Sequence, residues 1–370
     1  LMHSVHTKTA KVTQTQPGPS MFVRIRTDND DKVVGYVIVM AWTDDVRMFG
    51  TDRELEEYKA AVRSRLKVKF EEGPVAEFVS IETHQCLKTN TTELKMPRYW
   101  MKAAAAFQEH KGPTGWKERT VPLTPYDEKI LLEDPTEAEI LEAKGLPMAQ
   151  LVGTMSYPAS NCKFEMRLAV SMLGSRRSGW SKKQFEVCIR VLEYGIHTRE
   201  IGLMYSKDLD PHGRNVLYAY ADANHRTPRS QGCRIVMFNG ACVSFTSKKH
   251  TITSPSTCWS EMITMFDCTI DVMALRNLLA ELGMYQEHPT RIYQDNQAAI
   301  QIANNRGSLG KTSRAMDLKT LSTRNHIEDH EVETAYINTT LQVADMGTKA
   351  LMENPFVKFR DTMNGYALVK

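Results

Sequence analysis

Four carboxylates in the second half of this 370-residue chain stand where chemistry could use them. Asp222 closes an apolar stretch (YAYADAN) and Glu261 falls in the opening turn of a long amphipathic segment (WSEMITM). Asp295 follows a second apolar stretch (RIYQDNQ), and Asp345 opens a last one (QVADMGTK). Taken singly, an Asp at a strand end caps or turns the chain, and an acid in a helix's first turn suits the macrodipole. Brought together at one sheet edge, four acids would repel each other unless divalent cations lay between them. Mg²⁺ prefers carboxylate oxygen and keeps waters for reaction, and Mn²⁺ can substitute. Two such ions about 3.5–4 Å apart activate a water and stabilise the leaving oxygen in phosphodiester hydrolysis.

The elements that must position these acids are readable from periodicity. From Val216 the pattern is strand-like: Val216 to Ala221, then Gly232 to Phe238 and Ala241 to Thr246 around Asn239-Gly240, a type I′ hairpin signal. A long helix is predicted from Ser260 to Leu282, a strand over Thr290 to Gln294, a helix over Asn296 to Asn304, a strand over Glu333 to Ile337 and a helix from about Val343. That order gives a mixed α/β layer, helices over a sheet. Further upstream, Met21 to Arg26 and Val33 to Trp42 flank an Asp/Asn turn and read as a hairpin, followed by a short strand, Val46 to Phe49. Leu55, Tyr58, Val62 and Leu66 mark a helix running to Phe70; Glu77 to Thr83 is a strand, Pro97 to Phe107 a helix, Val121 to Pro125 extended, and residues 182–197 a helix with a clean apolar stripe.

Composition narrows the class. Hydrophobic residues make up 42% and charged residues 25%, an ordinary globular balance, and the net charge of +3 is too small to mark a nucleic-acid binder by itself. The longest apolar run, Gly35 to Trp42, is far short of the ~20 residues that span a bilayer, so no membrane span is expected. Seven cysteines, none in a CxxC pair, argue for reduced thiols in the cytosol or nucleus, and no signal peptide is visible. The opening Leu1 hints at a chain cut from something longer. The twenty methionines are expected to fill core gaps.

The motifs YADANH, SFTSKKHTITSPSTCWSEM, IYQDNQAAIQIA and ADMGTKAL resemble, in order and spacing, the ribonuclease H domain of copia-type LTR-retrotransposon polyproteins. The family pattern runs roughly SDADWAG, SWxSKKQxxVxxSSTEAEY, DNQxAIxLA and ADxLTKxL. Asp222 falls on its first Asp, Glu261 on the second Glu of TEAEY, Asp295 on the Asp of DNQ and Asp345 on the Asp of ADxLTK. All four metal-binding positions therefore hold a carboxylate. Upstream, YVIVMAWTDDVRMFGTDRELEEYKAAVRSRLKVKF resembles the palm motif of a reverse transcriptase, with Asp44 and Asp45 on its Asp-Asp pair. LVGTMSYPAS and FEVCIRVLEYGIHTREIGLMYSK resemble the segment that links palm to ribonuclease H.

There are departures. Trp42-Thr43-Asp44-Asp45 stands where the family has Tyr-Val-Asp-Asp, and residues 315–324 lack the two histidines of its KHIDxxYHxxRE stretch. A palm needs a further carboxylate from an earlier strand, yet only 43 residues precede Asp44, and Asp28, Asp30 and Asp31 lie in the neighbouring turn. The expected organisation is a lead-in (1–20), a partial palm (21–110), a thumb/connection region (111–213), ribonuclease H (214–351) and a C-terminal tail (352–370), with no polymerase activity.

The resemblance implies Mg²⁺-dependent cleavage of RNA in RNA–DNA hybrids and other parts of the retroelement polyprotein as partners. It also implies a cytoplasmic virus-like particle or the nucleus as location. The alternative is a non-catalytic remnant or a co-opted nucleic-acid-binding module. Lys248, Lys249, Asn296, Lys311, Arg314 and Lys349 flank the acids and read either as phosphate contacts or as solvated surface. His326 and His330, four apart, read as a solvated surface or as a zinc pair that lacks a third ligand. Cys258 and Ser260 have no His–Asp arrangement for nucleophilic catalysis.

Overall fold

A computed structural model describes residues 13–15, 20–30, 32–43, 45–71, 73, 77–110, 133–175, 179–206, 208, 210, 212–226, 228–305 and 314–368. The chain divides into two compact units, Leu1–Val79 with Val272–Glu287, and Ser80–Asp271 with His288–Lys370. No helix among the described residues is long and apolar enough to cross a membrane. The expected extended stretch Val121 to Pro125 lies outside the described residues.

In the first unit, β1 (Thr13–Gln14), β2 (Met21–Thr27), β3 (Val33–Trp42) and β4 (Asp45–Gly50) form an antiparallel sheet in that order. The β2–β3 turn closes through Asp28, whose Oδ1 accepts from the backbone N–H of Asp30 (3.0 Å) and Lys32 (2.9 Å). A helix, Asp52–Arg63, lays Tyr58 over Phe22, Val37 and Val39. It is anchored by charge as well: buried Arg24 meets Glu54 at 2.6 Å, and Arg26 meets Glu54 at 2.6 Å and Glu57 at 2.7 Å. The helix stops at Arg63 instead of Phe70. Beyond Val62 nothing apolar is buried, Leu66 being exposed, and the Ser64 hydroxyl donates to Ala61 O at 2.8 Å.

The strand expected over Glu77 to Thr83 is two, β5 (Glu77–Phe78) and β6 (Ile81–Cys86), because Val79 and Ser80 both take positive φ, 47° and 62°. In the second unit β6, β7 (Thr91–Lys95) and β8 (Leu203–Ser206) pair antiparallel. Around them pack helices Pro97–Ala106, Met148–Asn161, Arg167–Gly174 and Lys182–His197. The last begins where the stripe predicted, behind a Ser181/Gln184 capping box. Trp100 is wholly buried, and a Cβ at Gly195 would drive into its ring, so the close helix approach requires glycine there.

The principal sheet is also in this unit: β9 (Leu217–Asn224), β10 (Gln231–Phe238), β11 (Ala241–Lys249), β12 (Thr290–Gln294) and β13 (Val332–Tyr336), in the spatial order β11-β10-β9-β12-β13. The first three pair antiparallel; β12 runs parallel to both β9 and β13. This is the expected mixed sheet with flanking helices. The β10–β11 turn has Asn239 and Gly240 at φ 49° and 87°, as a type I′ turn demands. Helix Thr257–Glu281 joins β11 to β12, and helices Gln297–Asn304 and Arg314–Glu328 join β12 to β13.

Two expectations at the C-terminal end are corrected. The helix foreseen from Val343 is a five-residue 3₁₀ turn, Val343–Gly347, buried throughout. It packs so tightly on β10 that a Cβ at Gly347 would meet the Cys233 side chain, which leaves no room for a wider α-turn. The stretch foreseen as a tail contains a helix, Glu353–Met363, whose Phe356, Phe359 and Met363 sit in the main core. That core runs unbroken across residue 213: Leu151, Leu168 and Leu192 share it with Tyr218, Ile235 and Phe245. Met96, Met148, Met155, Met166, Met172 and Met237 are among its fillers, as expected.

Candidate active site

β9 lies at the middle of the five strands and is buried along almost its whole length, so its acid, Asp222, is held away from water. Glu261 enters from the second turn of helix Thr257–Glu281, which starts three residues earlier than expected, and directly follows the wholly buried Ser260. Asp295 follows the last residue of β12, and the next residue, Asn296, caps helix Gln297–Asn304 by accepting from Ala299 N at 3.0 Å. Asp222, Glu261 and Asp295 each offer a carboxylate oxygen, and these atoms lie within 4.8 Å of one another. They line one cavity of about 420 Å³, together with His225, Asn296 and Lys349.

Neutral polar groups hold the acids in place. Gln294, wholly buried, donates from Nε2 to Glu261 (3.2 Å), while its Oε1 accepts from the backbone N–H of Asp295 (2.8 Å) and Asn296 (3.0 Å). The Thr348 hydroxyl donates to Asp222 at 2.5 Å, and the Thr339 hydroxyl to Asp295 at 2.8 Å. Asp345 is in the 3₁₀ turn beside Asp222, and its Oδ1 pairs with Lys349 Nζ at 2.9 Å.

Crowding of like charge out of water shows in the protonation equilibria. Burial first, then the charges of Asp345 and Asp295, push the Asp222 carboxyl up to about 7, against a downward pull from Thr348. Burial, followed by Asp222 and Asp295, raises Glu261 well above the usual range. Asp345 is also raised by burial, with Lys349 opposing. Burial pulls Lys349 down, but its hydrogen bond and attraction to Asp345 outweigh this and raise it. A divalent cation would relieve all of these costs, and an all-oxygen donor set of this kind suits Mg²⁺ or Mn²⁺.

Three of the four sequence-predicted acids thus share one cavity wall, and the fourth stands behind Asp222 with its own cation. Of the basic candidates, Lys349 faces the cavity and Lys248 is exposed on β11. Lys249 lines a separate cavity of about 230 Å³ with Arg226 and Arg229 over Leu168 and Met172. Lys311 lies outside the described residues, as does the side chain of Arg314. Asp45 is exposed at the start of β4 in the first unit, and Asp44 lies outside the described residues. His326 pairs with Glu331 at 2.5 Å and joins no metal-capable cluster among the described residues. Burial raises the Cys258 thiol, the wrong direction for a nucleophile. Gln294, Thr339, Thr348 and His225 were not singled out in the sequence. The only signal for them was adjacency to an acidic motif.

The fold and site together define a mixed α/β domain, a five-stranded sheet with flanking helices and a carboxylate cluster at one edge. No protein-family model matches the chain. It is 22% identical over 354 residues to the retrovirus-related Pol polyprotein from transposon TNT 1-94 of Nicotiana tabacum, covering 93% of this chain and 25% of that protein. It is 24% identical over 245 residues to the transposon Ty1-DR5 Gag-Pol polyprotein of Saccharomyces cerevisiae, covering 62% of this chain and 14% of that protein. Among solved structures, LC11-RNase H1 from compost aligns at 12% identity over 36% of this chain and 92% of its own, with a TM-score of 0.29. The foamy viral protease-reverse transcriptase in complex with dsDNA aligns at 11% identity over 81% and 55%, with a TM-score of 0.35. The chain is a relative of copia-type retrotransposon polyproteins and spans a quarter or less of the two named here.

Proposed function

We propose that this chain hydrolyses the RNA strand of RNA–DNA hybrids in a divalent-metal-dependent ribonuclease H reaction, as part of a retroelement polyprotein. The observation that carries the reading is the meeting of Asp222, Glu261 and Asp295 within 4.8 Å in a cavity open to a substrate. Divalent cations held by these three, with Asp345 in support, would supply an activated water and charge neutralisation at the leaving oxygen, giving 3′-hydroxyl and 5′-phosphate ends. The chain's own part is preorganisation: Thr348, Gln294 and Thr339 fix the rotamers of Asp222, Glu261 and Asp295, and Lys349 balances Asp345. A hybrid would be told from duplex DNA by its wide minor groove and the 2′-OH beside the scissile phosphate. The first unit, with Asp44 and Asp45, is read as part of a reverse-transcriptase palm, and the 370 residues by themselves are not expected to polymerise.

The test is cleavage of a labelled hybrid in Mg²⁺ by the 370-residue chain and by Asp295→Asn. Wild-type cleavage restricted to RNA paired with DNA, and lost in the variant and in EDTA, supports the reading. A well-folded, inactive wild type would favour a remnant or co-opted binding module.

A further inference from the structure

Three residues beyond Asp222, the backbone leaves β9 and turns His225 toward the same cavity. Its Nδ1 lies 3.0 Å from Ser260 Oγ and 3.3 Å from Ser230 Oγ. The two serines are 2.8 Å apart, and Ser260 donates on to Ser254 at 3.0 Å. Ser230 and Ser260 are both wholly buried. Nε2 has no hydrogen bond among the described residues. One edge of the ring is therefore tied to two hydroxyls and the other is left for the cavity. Ser260 spends its proton on Ser254, so Ser230 is the hydroxyl that can donate to Nδ1, the tautomer that places the ring proton on Nε2.

His225 and Ser260, 35 residues apart in sequence, are hydrogen-bonded to each other. Since Ser260 directly precedes Glu261, the pairing also ties the imidazole to the helix turn that carries a site acid.

We propose that His225 is a substrate-contacting residue of this cavity, donating from Nε2 to a backbone phosphate of the bound nucleic acid, with Ser260 and Ser230 as the residues that position it. The proposal rests on the hydrolase reading above and adds to it a specific contact. An imidazole whose rotamer is already fixed loses little freedom on binding, and hydrogen bonds to charged groups are among the stronger ones.

The experiment compares wild type with His225→Ala, His225→Phe, His225→Gln and Ser260→Ala, all in the full chain, with melting curves to confirm folding. Hybrid binding is measured in Ca²⁺ and cleavage in Mg²⁺. A second series uses hybrids carrying one methylphosphonate at successive positions. The expected result is a loss of about tenfold to a hundredfold in kcat/KM and in hybrid affinity for the Ala and Phe variants. Gln, whose amide can donate near the Nε2 position, should recover part of it, and Ser260→Ala should raise KM more than it lowers kcat. One methylphosphonate position should weaken wild type but not His225→Ala. Folded Ala and Phe variants that bind and cut like wild type, or a Gln variant no better than Phe, would overturn the contact. A wild type that binds hybrid without cutting it overturns the hydrolase reading alone, because the binding series still decides His225; one that does neither overturns both.

Discussion

The carboxylate cluster should make the metal-free protein less stable as pH rises, and Asp222 is where this can be measured. Its carboxyl is raised from 3.8 to about 7 in the folded chain, chiefly by burial. The folded state therefore holds the proton more tightly than the unfolded state does. Stability from this group is fully present below about pH 4, declines as pH rises toward 7, and is gone above it. At ~1.4 kcal/mol per pKa unit the full swing is on the order of 4 kcal/mol. Glu261, raised for the same reasons, adds in the same direction. At roughly 2–4 °C per kcal/mol for a unit of this size, melting in EDTA should fall by roughly 10 °C between pH 5 and pH 8. Asp222→Asn keeps the side chain's shape but removes the charge, so its curve should be flatter and should lie above wild type at pH 8. Mg²⁺ should raise the wild-type melting point at pH 8 and much less at pH 5, where protons occupy the site. The assay is calorimetry or circular dichroism across that range, with and without the ion. A variant whose pH slope matches wild type would show that Asp222 is not charged against its neighbours as described.

The other expectations follow from separate parts of the chain. Asp295→Asn should abolish hybrid cleavage, a loss of several kcal/mol of barrier at ~1.4 kcal/mol per tenfold, while the melting point holds or rises; an active variant would remove Asp295 from the site. The purified chain should incorporate no dNTP on a primed template, and any template-directed extension would refute the partial-palm reading of the first unit. Trp100→Ala should cost roughly 3–5 kcal/mol of stability in chemical denaturation, since the ring is wholly buried against Gly195.

How much of this was legible beforehand depended on the range of the interaction. The helix over about 182–197 was readable because its apolar stripe is local, and the Ser181/Gln184 cap fixes its start at Lys182. The Asn239-Gly240 turn was readable because only a few residue pairs tolerate two positive φ values in succession. The 3₁₀ turn at Val343 was not, since its shape is set by Cys233, more than a hundred residues away in sequence. Nor was the burial of Lys163 and Glu165, two charged residues that pair at 2.8 Å in the core, with Lys163 also donating to Thr198 O. Spacing was enough to nominate the four acids. The groups that orient them, Gln294, Thr339 and Thr348, are ordinary polar residues whose roles exist only once β9, β12 and the 3₁₀ turn are side by side.

That asymmetry bears on how the site divides its labour. Asp345 has a lysine four residues on, within the same local segment, and is charge-balanced before anything binds. Asp222, Glu261 and Asp295 are held by neutral donors and pair with no cation among the described residues. Neutral donors fix geometry without neutralising the acids, and Lys349 at the same cavity pulls on Asp222 without pairing with it. A cluster meant only for stability would be expected to carry its own cations, as Arg24 and Arg26 do for Glu54 and Glu57 in the first unit. The same chain thus pairs its acids where they hold the fold and leaves three unpaired where they face a cavity. For the proposed hydrolase, the second arrangement leaves room for positive charge from outside the protein, protons when the site is empty and a divalent cation when it is loaded.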